Sequence, residues 1–317
     1  MPSLASQIDD LARSGQVVCR ECAWYADLLP LPALEAHKYS RGHARGVAGS
    51  ALYPGAAVLA ARAASRGGAG YVTLAVPEPV MGVAQCHLVT VPVCALPAGE
   101  CGAFASEAAA CLPALLERAD GVCFGSGATV CEGTGAVLAA LLRDCHVPLL
   151  LDADALSVLC RLDAAQAAAH AAPLVLTPHE GEMRRLVHAF VPECEGFDGG
   201  VLAARAHAAS RLAHTLDATV VFKGPVTLVA SPDGAVLASD HGSPVLATAG
   251  TGDVLAGIVC ALLAAHLAPA DACALGVYLH GSAARVAAMR LGHLSVVATD
   301  VIDALPEAAR ALEGGVW

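Results

Sequence analysis

Charge is scarce in this chain of 317 residues, and aromatic side chains are scarcer: 15% of residues are Asp, Glu, Lys or Arg and 4% are Phe, Trp or Tyr. Positive charge is the smaller share, with 18 Lys and Arg against 29 Asp and Glu and a formal net charge of −11. A general nucleic-acid surface needs clustered Lys and Arg, so this balance excludes one. It leaves anionic small molecules open, because backbone amides at helix starts bind phosphate without basic side chains. No apolar run spans a bilayer, so no membrane partner is expected; residues 254–265 fall short of the roughly 20 residues needed and follow a glycine-rich turn, which marks a buried helix. The first 15 residues lack both a basic start and an apolar core, so they do not read as a signal peptide. Internal repeats and low-complexity linkers are missing as well.

Hydrophobic residues make up 56% of the chain, and Ala, Val, Leu and Gly dominate. That composition suits helices packed closely on a parallel sheet, in one large domain. The low charge also suits subunit contacts in a homo-oligomer such as a tetramer, and equally an alanine-biased genome. The 13 Cys are odd in number and scattered through apolar segments, as expected of buried thiols in a reducing, cytoplasmic setting. Cys19 and Cys22 form the one C-x-x-C, and no second pair follows at zinc-ligand spacing. No metal-binding residues are therefore predicted.

After a loosely helical lead-in over residues 1–36, the domain over 37–317 repeats one grammar: a short apolar strand, a polar turn, a helical pattern. Strands are predicted at 70–76 (following a helix at 56–66), 121–124, 148–151, 173–176 and 219–222. Strands alternating with helices imply α/β architecture, a central mainly parallel sheet with helices on both faces. The polar turns fall just after strands, and ligands in open α/β sheets bind beyond the carboxyl ends of the strands. The turns should therefore converge on one edge of the sheet.

Each turn has a functional and a plain reading. Gly250, Thr251, Gly252 and Asp253 run straight into the apolar helix. Glycines let the backbone approach a ligand, the helix start offers unpaired N–H groups, and Asp253 can take a proton from a hydroxyl. An ordinary N-cap accounts for the same residues. Lys223, Gly224, Pro225, Val226 and Thr227 can place a cation against phosphate, or form a simple hairpin with a solvated Lys at its corner. His179 and Glu182 can grip a polar ligand, or Thr177 can cap a helix whose first turn holds Pro178 and the acids. Asp152 and Asp154 can meet Mg²⁺ or ligand hydroxyls, or cap the helix over 155–160. Gly127, in the turn Gly125-Ser126-Gly127, and Ala57, at a helix start, are close-approach points. His280 reads as a packed helix histidine.

Taken in order, these pieces resemble the NAD(P)H-hydrate dehydratase branch of the ribokinase-like superfamily. The resemblance runs over roughly residues 37–310, through HKYSRG (37–42), VAGS (47–50), LLLDADAL (149–156), LTPHEGE (176–182), FKGPVT (222–227), TAGTGDVLAG (248–257) and YLHGSAA (278–284). It implies dehydration of the S epimer of hydrated NADH or NADPH, with ADP as co-substrate and Mg²⁺ bridging its phosphates. Asp253 would be the base, and the amides around Gly250–Gly252 would stabilise the moving phosphoryl group. Residues 223–227 and Gly252 would hold the nucleotide; Ala57, Gly127, His179 and Asp253 would contact the hydrated dinucleotide. Glu182 and Asp152 join the substrate side on the reading of their own turns. Three departures stand out. GSGAT (125–129) replaces the family's GPGLG, Glu180 replaces a proline, and His43-Ala44-Arg45 occupies a strand that is usually aliphatic. The epimerase domain fused to many relatives is missing from these residues, which points to a separate epimerase. Two rivals remain: a ribokinase-like kinase for a hydroxymethylpyrimidine or hydroxyethylthiazole precursor, and a non-catalytic nucleotide-binding protein.

Overall fold

The computed structural model describes residues 3–99 and 101–314. Nine strands form one sheet among the described residues: β1 His43–Val47, β2 Tyr71–Pro77, β3 Val93–Leu96, β4 Gly121–Phe124, β5 Leu149–Leu151, β6 Leu174–Leu176, β7 Ala218–Phe222, β8 Thr227–Ala230 and β9 Val236–Ser239. Most are apolar along their whole length, as strands buried on both faces must be. The spatial order is β3-β2-β1-β4-β5-β6-β7-β8-β9. Pairing is parallel from β3 through β7 and antiparallel for β8 and β9. The expected α/β sheet is therefore present, with its parallel part extended by a hairpin at one edge.

Helices cover both faces, and the alternation of side chains along each strand splits the interior in two. On one face the helices Pro54–Arg66, Thr251–Ala264, Pro269–Leu291 and Ala298–Glu313 pack over Ala44, Leu150, Val175 and Val221. On the other, Glu132–Asp144, Glu180–Phe190 and Leu202–Thr215 pack over Val47, Leu149, Leu151, Leu174 and Val220. Residues 3–36 are packed onto this body. Val18 pairs with β9 through Leu237, and Tyr25 is fully buried, stacked on Tyr278 with ring centroids 4.3 Å apart.

The helix Thr251–Ala264 lies against the sheet and beneath Pro54–Arg66, and its small residues permit that approach. A methyl group at Gly257 would run into the Ala60 carbonyl oxygen. Gly257→Ala gains about 1 kcal/mol of helix propensity but forces two tightly packed helices apart. The expected net effect is a loss of about 1–3 kcal/mol, read as a lower urea-unfolding midpoint with an unchanged slope.

Candidate active site

The strand order reverses between β1 and β4, which makes this the point where an open α/β sheet leaves a crevice. The turns after β1 and β4 are stitched together there. Gly49 N–H donates to the Ser126 carbonyl at 2.8 Å, and the Thr129 hydroxyl donates to Ser50 Oγ at 2.8 Å. Thr129 stands where the family's last glycine would be, and it takes the left-handed conformation such a glycine provides, with φ 64°. Its N–H donates to Asp154 Oδ2 at 2.9 Å, so side-chain bonds hold a conformation that threonine resists. The turn thus keeps the backbone course of a glycine. Gly127 lies against the start of helix Pro54–Arg66, where a methyl group would sit 2.8 Å from Tyr53 Cβ.

Beyond β5, β6 and β7 the polar residues form one cluster. Asp152 is buried, and its Oδ1 accepts from the Thr177 hydroxyl at 2.7 Å and from Lys223 Nζ at 3.0 Å. Lys223 N–H donates to the Pro178 carbonyl at 2.9 Å, and Nζ lies 3.9 Å from Glu182 Oε2. Burial pulls the Lys223 pKa down, yet the charges of Asp152, Glu182 and Asp253 together hold it above the usual lysine value. Burial pushes Glu182 up to about 7, with Lys223 opposing.

Several plain readings are corrected here. Lys223 is not a solvated hairpin corner, because its side chain is only 20% exposed and paired. Thr177 does not cap the following helix; His179 does, its Nδ1 accepting from the N–H groups of Gly181 and Glu182, while Glu182 Oε2 accepts from His179 N–H at 2.8 Å. An accepting Nδ1 places the ring proton on Nε2, 3.4 Å from Glu182 Oε1. Neither Asp152 nor Asp154 caps the helix Asp154–Leu159, whose N-cap is Ala153 at φ 51°. That left-handed residue turns Asp152 into the cluster and Asp154 towards Thr129.

The helix start completes the site. Gly250 takes φ 88°, a left-handed turn that costs glycine nothing and brings the chain into helix Thr251–Ala264. The N–H groups of Gly252 and Asp253 have no partner among the described residues. The Thr251 hydroxyl is spent on the carbonyls of Leu246 and Thr248 at 2.7 and 2.9 Å, so this residue offers the site only main chain. A methyl group at Gly252 would lie 3.5 Å from Lys223 Nζ, which sets this helix start beside the ion pair. Burial and the charge of Asp152 raise Asp253 to about 7, while the Ser126 hydroxyl beside it pulls the other way.

A cavity of about 690 Å³ opens beside the helix start and the hairpin, with His179, Lys223, Gly224, Pro225, Thr227 and Gly252 in its wall. Val226 is buried, and its carbonyl accepts from Arg205 at 2.9 Å. Ala57 is also fully buried, its methyl facing Gly49; its N–H, in the first turn of its helix, has no partner among the described residues. The site therefore gathers Asp152, His179, Glu182, Lys223, Gly252 and Asp253 closely, with Gly127 and Ala57 towards the β1–β4 side. His280 is packed as expected, yet it also lines the cavity, and burial lowers it to about 4, so it is neutral. The residue missed in the sequence is Arg205. It is buried, with its guanidinium 4.3 Å from the Phe222 ring and within 3.3 Å of the Lys223 carbonyl, and it braces the hairpin from behind. Its signal was a charge on the apolar stripe of an alanine-rich helix.

The fold is that of a ribokinase-like superfamily protein of Enterococcus faecalis, which is 22% identical with a TM-score of 0.77 and covers 94% of this chain and 96% of that one. The sequence signature of the NAD(P)H-hydrate dehydratase family matches residues 46–307, and the chain belongs to that family. It is 34% identical to the ADP-dependent (S)-NAD(P)H-hydrate dehydratase of Xanthomonas campestris over 87% of this chain and 91% of that protein. It is 39% identical to the bifunctional NAD(P)H-hydrate repair enzyme of Salinibacter ruber over 90% of its length, and spans about half, 51%, of that relative. The crystal structure of the ADP/ATP-dependent NAD(P)H-hydrate dehydratase of Bacillus subtilis, co-crystallised with ATP and Mg²⁺, is 28% identical with a TM-score of 0.77, covering 94% of this chain and 99% of that one.

Asp253 titrates at about 7 in the fold and near 3.8 when freed. A carboxyl raised in the fold favours the folded state fully below about 3.8, and that contribution is lost progressively as pH rises from there to about 7. Asp253→Asn mimics the protonated form, so it should raise stability at pH 8 by on the order of 4 kcal/mol and leave it nearly unchanged at about pH 3.5, below the unfolded value. Thermal unfolding at the two pH values checks this.

Proposed function

We propose that the chain dehydrates the S epimer of hydrated NADH and NADPH, using ADP as phosphoryl donor and releasing AMP and phosphate. The observation that carries this reading is Asp253. It sits in the first turn of a helix with unpaired N–H groups, is raised to about 7, and lies near a half-buried lysine in the wall of a nucleotide-sized cavity. A general base works best when its pKa matches the working pH.

Water is a poor leaving group from the hydrated ring, and phosphate is a better one. Asp253 takes the proton of the ring hydroxyl as its oxygen bonds to the β-phosphorus of ADP and the bond to the α-phosphate oxygen breaks, giving AMP. The phosphate ester then eliminates: the C–O bond breaks with its electron pair leaving on phosphate, the proton of the neighbouring ring carbon passes to that phosphate, and the C–H pair restores the ring double bond. The amides of Gly252 and Asp253 face the charge that grows on the transferring group. Lys223, held by Asp152, supplies the fixed positive charge near the nucleotide, and Gly224, Pro225 and Thr227 form the wall against which AMP remains. His179 and the main chain at Gly127 and Ala57 would orient the dinucleotide.

Among the described residues no group of three or more His, Cys, Asp or Glu is arranged to hold a metal ion. The donor set therefore fits a Mg²⁺ ion bound mainly by phosphate oxygens and water rather than a protein cage. When bound it would neutralise phosphate charge, with Asp253 and Asp152 the acids nearest the helix start. We also place the chain in the cytoplasm, a reading supported by its 13 free thiols.

Recovery of absorbance at 340 nm from hydrated NADH tests the proposal, with Mg²⁺ and either ADP or ATP. Parent protein should restore the signal with ADP, and Asp253→Asn should lower kcat by roughly 10²–10⁴-fold while still binding ADP. Folded parent protein that binds ADP and restores nothing with either nucleotide would falsify the dehydratase reading and favour a precursor kinase.

A further inference from the structure

A second cavity, of about 290 Å³, opens at the opposite edge of the sheet, where β1 and β2 begin, and Tyr39, His43, Arg45, Tyr71, Thr73 and Arg118 line it. Two of its residues, His43 and Arg45, are the polar ones in a strand that the family usually builds from aliphatics. Arg45 is 8% exposed. Among the described residues its guanidinium makes no hydrogen bond and no ion pair, and Nε is buried without a partner. A buried arginine stays charged, and a buried charge is normally paired.

The neighbours do not supply the missing partner. Cys94 is a protonated thiol: burial raises its pKa and its Sγ donates to the Leu74 carbonyl. Glu117, the acid in the cavity wall, is exposed and beyond ion-pair distance of Arg45. His43 is fixed and neutral. Its Nδ1 lies 2.8 Å from the Arg118 carbonyl and so carries the proton, while Nε2 accepts from the Thr73 hydroxyl at 2.8 Å. At the mouth, Lys38 Nζ stands 4.9 Å from the ring centres of both Tyr39 and Tyr71. Asp120, the other acid here, is engaged by the His43 N–H at 2.8 Å. The cavity thus holds a buried arginine that neither acid pairs, with Arg118 in its wall.

We infer that this cavity is a binding site for an oxyanion, the phosphate or carboxylate group of a small metabolite, seated on the guanidinium of Arg45. The planar fork of arginine matches either group with two parallel hydrogen bonds. The site lies at the opposite end of β1 from Ser50 and shares no wall residue with the catalytic cavity.

Calorimetric titration with inorganic phosphate and, separately, with succinate tests this on parent protein, Arg45→Met, Arg45→Lys and Lys223→Ala. At least one anion should bind the parent, with the two arms telling phosphate from carboxylate. Binding at this site should persist in Lys223→Ala, weaken in Arg45→Lys, which keeps the charge without the fork, and fall at least tenfold in Arg45→Met. Arg45→Met should melt no lower than the parent in anion-free buffer, because no ion pair is lost. Failure of both anions to bind the parent, or binding unchanged in Arg45→Met and lost in Lys223→Ala, would overturn the site. Either result would leave the dehydratase reading untouched, since that rests on the 340 nm assay.

Discussion

The contact between Lys223 Nζ and Asp152 Oδ1 organises the catalytic edge of the sheet. It joins the ends of β5 and β7 across β6, and β6 contributes the Thr177 hydroxyl to the same carboxylate oxygen and the Pro178 carbonyl to the Lys223 N–H. Three neighbouring strand ends are thereby locked in register at one point. Removing Lys223 leaves the buried Asp152 carboxylate unpaired, which costs up to about 3–5 kcal/mol. The pair also sets the electrostatics around it. One ammonium faces three carboxyl groups, Asp152, Glu182 and Asp253. It cannot neutralise all three, and the two it does not bond directly are the two raised to about 7. The unusual state of Asp253 thus follows from its burial and from Lys223 being committed to Asp152.

Much of this was legible in the chain. Five strands were placed within a residue or so, and their polar turns meet at one edge, because apolar tetrapeptides bounded by turn residues leave little freedom in a parallel sheet. What the sequence left ambiguous were choices decided by partners distant in the chain. Whether Thr177 caps its helix or reaches Asp152 depends on where β5 ends, and no local pattern states that. The same holds for Lys223, whose partner is 71 positions away, and for Arg205, whose charge on an alanine-rich helix is explained only by the hairpin it braces.

The glycine turn after β4 shows the same principle from the other side. Thr129 in place of glycine looks unfavourable locally, since a β-branched residue resists a left-handed φ. Its N–H bond to Asp154 and its hydroxyl bond to Ser50 come from two different strand ends, and they hold the conformation. Ala153, also left-handed, is the counterpart: it is what lets Asp152 and Asp154 point in different directions from adjacent turns. Two strained residues are therefore coupled through one carboxylate, and each is intelligible only with the other. In GSGAT, side-chain bonds thus substitute for the freedom of the family's last glycine.

The two edges of the sheet use buried charge in opposite ways. At the carboxyl edge, every charge buried in the cluster has a protein partner or a shifted pKa, and the free valences are the amides of Gly252 and Asp253, neutral donors that attract an anion without a cation's desolvation cost. That arrangement suits a group that must arrive, react and leave. At the amino edge, Arg45 carries a full charge with no hydrogen-bond or ion-pair partner among the described residues, beside a histidine fixed neutral by two hydrogen bonds. A charged arginine buried in a strand is destabilising unless something compensates it, and the opening it lines is this cavity. An oxyanion entering through that opening would supply both the countercharge and the acceptors that the guanidinium lacks.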